Sequence, residues 1–123
     1  MIEKNYVFDT YALIEIIKGN KNYNLYLNSK IIITNFILAE LCFNLIRELG
    51  VERGSYYTDE YSKFIIDIDK GVIKKAMIFR LENIKRNMSI TDCIGYFLAK
   101  ELNIKFLTGD KEFKDMDNAE FVK

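Results

Sequence analysis

Apolar and polar positions along the 123-residue chain fall into short blocks whose period switches between that of a strand and that of a helix. "NYVFD" (5–9) is a strand pattern. In "TYALIEIIKG", Ala12, Leu13, Ile16 and Ile17 then recur at helical spacing before Gly19 stops the run. "NKNYNLYLNS" (20–29) predicts a short helix carrying Tyr23, Leu25, Tyr26 and Leu27, and "KIIIT" (30–34) a second, buried-type strand. A long helix over "NFILAELCFNLIRELG" (35–50) ends at Gly50, as helices often do. Another helix is expected over 53–64, with Tyr57, Tyr61 and Phe64 on one side, and "FIIDI" (64–68) reads as a third strand. From 69 to 87 the stripe Val72, Ile73, Ala76, Met77, Leu81 and Ile84 is amphipathic and predicts a helix packed on a sheet. "SITDCIGYFLAKELN" (89–103) predicts a further helix, "IKFLT" (104–108) a fourth strand, and "EFVK" (120–123) a short fifth. Strands alternating with helices imply an α/β fold with a parallel sheet covered on both faces. No internal repeat, linker or low-complexity tract interrupts the pattern.

Composition narrows this picture. Half of the residues are hydrophobic and none is proline, which fits one compact domain over 1–123 with a genuine core. The apolar runs are short and broken by charge, so neither a membrane span nor a signal peptide is expected, and the chain reads as cytoplasmic. Cys42 and Cys93 lie inside helical apolar segments without CxxC pairing, and histidine is absent. Disulfides, zinc and His-based catalysis are therefore not expected. Eighteen Lys and Arg balance eighteen Asp and Glu, so no global field draws the chain onto polyanions. Carboxylates become the main candidates for acid, base or metal-ligand chemistry.

Four stand out. In open parallel α/β sheets the ligand crevice lies beyond the carboxyl ends of the strands, and Asp9 and Asp110 each follow a predicted strand directly. If those strands are neighbours, the two side chains converge. Helix capping is the competing explanation for either one, since Asp is a favoured N-cap. Glu40 is embedded in "FILAELCF", where its neighbours one turn away, Phe36, Ile37, Phe43 and Asn44, predict a mostly apolar, inward surface. An ionised carboxylate there needs a partner, either a cation held by several acids or a lysine reached by snorkelling. Asp92 is the third position of the S-x-x-D capping box "SITD", and the same placement puts it in the first turn of a helix beginning beside the strand ends. Asp115 and Asp117 are read as surface acids. Four hard oxygen donors without histidine or thiolate favour Mg²⁺ or Mn²⁺, and such a site suits phosphoryl chemistry.

In these residues the chain resembles the PIN-domain ribonucleases, and in particular the small VapC-type toxins. The resemblance spans nearly the whole chain and rests on "YVFDTYAL", Glu40 in "ITNFILAEL", Asp92 in "SITDCIGYFLAKELNIKFLT" and the final "TGDKEF", in that order. It implies a three-layer α/β/α sandwich around a central parallel sheet of four to five strands. It also implies metal-dependent endoribonuclease cleavage of RNA, leaving 5′-phosphate and 3′-hydroxyl ends. Asp9, Glu40, Asp92 and Asp110 match the family's acidic metal-binding positions, with Mg²⁺ or Mn²⁺ as the cofactor. Thr108 matches the Ser or Thr that precedes the last acid by two. Thr10 follows the first acid as in many members, although either threonine is equally a helix or turn cap. Asn44, on the Glu40 face, is a candidate for supporting the site or touching RNA, with burial of a satisfied amide as the alternative. The resemblance further implies a homodimer and an antitoxin protein as partner.

The chain departs from many RNA-cutting relatives in charge. Only Lys18, Lys21, Lys74, Lys75, Lys85 and Arg86 offer themselves for a basic groove, and most are expected as solvated surface charge. The seventeen Phe and Tyr supply stacking surfaces for unpaired bases, but the spacing of Tyr23 with Tyr26 and Tyr57 with Tyr61 is more simply packing. A haloacid-dehalogenase-type phosphatase is the rival enzyme, through "YVFDT" and "GDKEFKD". It fails at Tyr11, where that chemistry needs a second Asp, and leaves Glu40 and Asp92 without purpose. A receiver-like domain would use Asp67 or Asp69 but lacks an acidic pair after the first strand. The rival of another class is a catalytically silent PIN-like module that binds RNA or a partner.

Overall fold

A computed structural model of the chain describes residues 4–123. Four strands, β1 (Asn5–Phe8), β2 (Lys30–Ile32), β3 (Lys105–Thr108) and β4 (Ala119–Phe121), form one all-parallel sheet in the order β2-β1-β3-β4. Helices α1 (Thr10–Lys18), α2 (Asn35–Leu49), α3 (Val51–Ser62), α4 (Lys70–Glu82) and α5 (Ile90–Glu101) flank it in the three-layer α/β/α arrangement. Among the described residues no helix is long and apolar enough to cross a membrane.

The strand order decides where a ligand can sit. From β1 the chain crosses through α1 to β2 on one side, whereas β3 lies on β1's other side. Because parallel crossovers are right-handed, that reversal sends the connecting helices to opposite faces and opens a crevice between the carboxyl ends of β1 and β3. The floor beneath it is apolar. Val7, Phe8, Phe106 and Leu107 are completely buried, and α5 buries Cys93, Ile94, Tyr96, Leu98 and Ala99, as a helix sunk against a sheet must.

Several elements differ from the sequence pattern. "FIIDI" forms no named strand: Ile65 makes one parallel bridge to Ile33, because α3 runs on to Ser62 and Asp69 already caps α4, leaving little extended chain between them. The helix expected to 87 stops at Glu82, and a 3₁₀ turn (Ile84–Arg86) follows. It packs on α5 rather than on the sheet, so Val72 and Ala76 are buried while Leu81 is 73% exposed and Ile84 lies outside the core. Residues 21–26 are a 3₁₀ helix that buries Tyr23 and Tyr26 but leaves Leu25 and Leu27 exposed. The helix expected from 53 begins at Val51, directly after Gly50, whose φ of 91° makes the corner between α2 and α3. At Gly54 the two helices touch so closely that a Cβ would lie 2.7 Å from the backbone nitrogen of Ile46.

Candidate active site

Each acid arrives from a different element, and all four line one open cleft of about 550 Å³ at the β1/β3 crevice. Asp9 follows β1 and Asp110 follows β3 by two residues. The registers of β1 and β3 pair Phe8 with Leu107, and the backbone N–H of Asp9 donates to the Leu107 carbonyl at 3.0 Å, so the two strand ends are adjacent. Glu40 comes from the second turn of α2, whose N-terminus Thr34 caps through its hydroxyl. Asp92 comes from the first turn of α5. Helix N-termini therefore converge here, and their partial positive charge favours carboxylates.

Asp9 anchors the arrangement. It is buried, its Oδ1 accepts the Ala12 N–H at 2.7 Å and its Oδ2 accepts the Thr108 hydroxyl at 2.5 Å. The same Thr108 oxygen accepts the Asp110 N–H at 3.0 Å, so one hydroxyl ties the end of β3 to the acid at the end of β1. Asp9 is thus a helix cap and a member of the acid cluster at once. A carboxylate has about four acceptor sites, and the cap and the threonine use two of them. Asp110 caps a 3₁₀ turn (Lys111–Phe113) by accepting the Glu112 N–H at 2.9 Å.

Asp92 shows how a capping box and a functional acid coexist. The Ser89 oxygen accepts the Asp92 N–H at 3.0 Å, but no reciprocal bond from the Ser89 N–H to the Asp92 carboxylate forms. That carboxylate faces the other acids. Glu40 is half-buried at the edge of α2, not inside an apolar surface as its neighbours predict: Ile37, Leu41 and Leu45 are the buried stripe, whereas Phe36 is exposed and Phe43 is 65% exposed. Thr10 donates its hydroxyl to Glu40 Oε1 at 3.3 Å. The Asn44 amide donates to the Glu40 carbonyl at 2.8 Å and accepts from Arg47 at 2.6 Å, and it lines the cleft.

The electrostatic consequence is proton retention. Burial pushes the Asp9 carboxyl up to about 7 against the Thr108 hydroxyl and the Ala12 and Gly109 N–H groups that favour its charged form, and Asp110 adds repulsion. Burial, followed by the charges of Asp9, Asp110 and Glu40, pushes Asp92 up to about 8. Acids placed this way discharge their repulsion by holding protons or by sharing a cation. Among the described residues no group of three or more His, Cys, Asp or Glu side chains stands close enough together to hold a metal ion as placed. The donor chemistry nevertheless fits Mg²⁺ or Mn²⁺, which accept few carboxylates and keep several waters.

Other expected acids and cations lie elsewhere. Asp117 accepts the Tyr96 hydroxyl at 2.7 Å and pairs with Lys100 at 3.3 Å, which hold its carboxyl below the usual range, and Asp115 is exposed. Neither lines the cleft. Lys18, Lys21, Lys74, Lys75 and Lys85 are exposed and outside this cleft, while Arg86 donates to the Glu112 carbonyl and pairs with its carboxylate at 3.6 Å. The cations at the rim are instead Lys111 and Lys123. Lys123 sits 5.2 Å from the centre of the Tyr11 ring, and that ring covers Gly109 so tightly that a Cβ there would lie 2.0 Å from it. Lys111 is next to an acid already singled out. Tyr11 reaches the cleft from the first turn of α1, next to Asp9, whereas Lys123 reaches it only through the pairing of β4 with β3, which no local pattern encodes.

The family model described as the PIN domain matches residues 6–119. Among solved structures the chain is similar to the sarcin-ricin-loop-cleaving toxin VapC20 of Mycobacterium tuberculosis, with 14% identity, a TM-score of 0.77 and coverage of 98% of this chain and 100% of that one. It is similar also to a chain of a toxin–antitoxin complex from Klebsiella pneumoniae (19% identity, TM-score 0.71, covering 94% and 95%). A chain of VapBC2 from Rickettsia felis, bound to a DNA fragment from its promoter, matches with 20% identity and a TM-score of 0.68, covering 97% and 99%. No curated protein matches the chain.

Proposed function

Because this chain belongs to the PIN domain family, we propose that it is a divalent-metal-dependent endoribonuclease and the toxin of a toxin–antitoxin pair. The observation that carries the reading is the meeting of Asp9, Glu40, Asp92 and Asp110 in one cleft at the strand-order reversal. In this reading they hold one or two Mg²⁺ or Mn²⁺ ions, directly or through water. A bound ion supplies Lewis acidity: it lowers the pKa of a water molecule and neutralises charge on the phosphodiester. The protein's own residues supply placement. Thr108 keeps Asp9 ionisable and in register with Asp110, Thr10 orients Glu40, and the Ser89 cap fixes the start of α5 so that Asp92 points inward. The fold likeness to toxin–antitoxin chains supports an antitoxin protein as partner, and a homodimer is part of the proposal by family resemblance alone.

The direct test is to incubate the purified protein with total RNA, with and without Mn²⁺, and map the new ends. Cleavage that needs the ion and leaves 5′-phosphate and 3′-hydroxyl ends is expected. Termini bearing 2′,3′-cyclic phosphate would reject the water-attack route, and intact RNA under all conditions would return the chain to the silent binding module.

Thr108→Val isolates the contribution of placement. The isosteric change removes the donor to Asp9 Oδ2 and the acceptor for the Asp110 N–H together. Losing that hydroxyl raises the Asp9 pKa further, so the acid limb of the pH–rate profile should move to higher pH and the maximal rate fall roughly ten- to a hundredfold. A rate profile superimposable on the parent's would show the threonine to be a turn residue only.

A further inference from the structure

A second cavity, of about 470 Å³, opens beside the acid cleft between α1 and the α2–α3 hairpin. The two share Tyr11, Ile14 and Asn44 as a common wall, so anything lying across the acids continues into the second without a break. Its lining is largely apolar, with Ile14, Leu45 and Tyr57 among it, and its charged members are Lys18, Arg47 and Arg53 beside Glu15 and Glu48. Three cations against two acids leave it a small local excess of positive charge that the chain's zero net charge conceals.

Arg47 is exposed yet fixed. One guanidinium nitrogen donates to Asn44 Oδ1 at 2.6 Å, and the guanidinium carbon stands 5.3 Å from the centre of the Phe43 ring. Asn44 is itself tied to the Glu40 carbonyl at 2.8 Å. A carboxylate, an amide and a guanidinium thus follow one another along a single helix face at positions 40, 44 and 47, spanning about 10 Å along the axis. Glu48 is the nearest acid to Arg47, at 4.0 Å and 60% exposed, a contact too open to consume the charge. Most of the five guanidinium donors remain free in a fork suited to phosphate oxygens.

We propose that this groove binds the single-stranded RNA backbone flanking the cut, with Arg47, held by Asn44, taking a phosphate and Arg53, from the same hairpin, reinforcing it. This rests on reading the acid cleft as the place where RNA is cut. The apolar floor gives the bases a sequence-tolerant surface, with the Tyr57 ring as a stacking platform. A peptide would find the same apolar floor, but the free forked cation on the rim, in line with the phosphodiester chemistry next door, favours a polyanion.

The test is fluorescence anisotropy of a labelled single-stranded RNA of mixed sequence on the full chain carrying Asp9→Asn, so that binding is read apart from cleavage. Adding Arg47→Ala should weaken binding about tenfold and lower the slope of log affinity against log salt by about 0.7, the value for one lost phosphate contact on a single strand. Arg47→Lys should restore the slope but only part of the affinity. Asn44→Ala should weaken binding with the slope kept, since it frees the guanidinium without removing it. Unchanged affinity and slope in Arg47→Ala, with an unchanged melting temperature, would assign the groove to something other than RNA and overturn the proposal. The two readings fail separately: RNA left intact by the parent protein with Mn²⁺ while the Arg47 effect persists sinks the nuclease, whereas cleavage with no Arg47 effect sinks the groove.

Discussion

Replacing Asp9 with Asn should lower Mn²⁺-supported RNA cleavage at least a thousandfold, about 4 kcal/mol in the barrier, while leaving the protein folded. The fold should survive because the amide oxygen can still accept the Ala12 N–H, and the Thr108 oxygen has a second lone pair for the new amide hydrogens. Activity should not survive, because the substitution removes a charge from the one acid that is buried and locked to both central strands. The melting shift produced by Mn²⁺ should vanish with it. Asp115→Asn provides the control: it neutralises an exposed acid outside the cleft and should cut at the parental rate within about twofold. Cleavage by Asp9→Asn at the parental rate would remove this acid from the chemistry, and with it the common centre on which the reading depends.

That single variant is more decisive than any other because the four acids are not equivalent. Glu40 is half-buried and reached by only a long threonine bond, so Glu40→Gln is open to compensation by a water. Asp110 has one oxygen engaged in its own turn. Asp9 alone connects α1, β1 and β3, so its charge and its position cannot be separated by local rearrangement.

The same asymmetry explains what could be read from the sequence. Asp9 and Asp110 were legible in position because a strand end fixes where the next residue points, and two such ends on neighbouring strands meet; Thr108 entered only through the family resemblance. Glu40 was legible in position but for the wrong reason. Helical spacing groups Phe36, Ile37, Phe43 and Asn44 around it, yet periodicity cannot say whether a partner covers that face, and Phe43 faces solvent. The α4 stripe carries the same ambiguity: its first half is buried against α5, and Leu81 and Ile84 beyond it are not. "FIIDI" has strand composition, but an edge strand needs more length than two flanking helices leave it. Lys123 and the Arg47 groove depend on which strands and helices become neighbours, which only the assembled fold decides.

Stability without metal should fall, not rise, as pH increases from about 4 to 8. Asp9 titrates near 7 and Asp92 near 8 in the folded protein, whereas an unfolded carboxyl titrates at about 3.9. Between those limits the folded chain binds more protons than the unfolded one, so the unfolding free energy decreases with pH and levels off above about 8. The lowered carboxyl of Asp117 has the opposite sign, but its contribution disappears only as pH falls below the ordinary carboxylate range, outside this window. Mn²⁺ competes with the retained protons and should therefore change the shape of the curve. At pH 8 an ion at a hundred times its dissociation constant should return about 2.7 kcal/mol, whereas at pH 5, with the acids protonated, it should return little. Melting curves in EDTA and in Mn²⁺ from pH 5 to 9 would show two lines that diverge upward. Parallel lines, or a metal-free protein most stable near pH 8, would mean that these carboxyls neither repel one another nor share an ion.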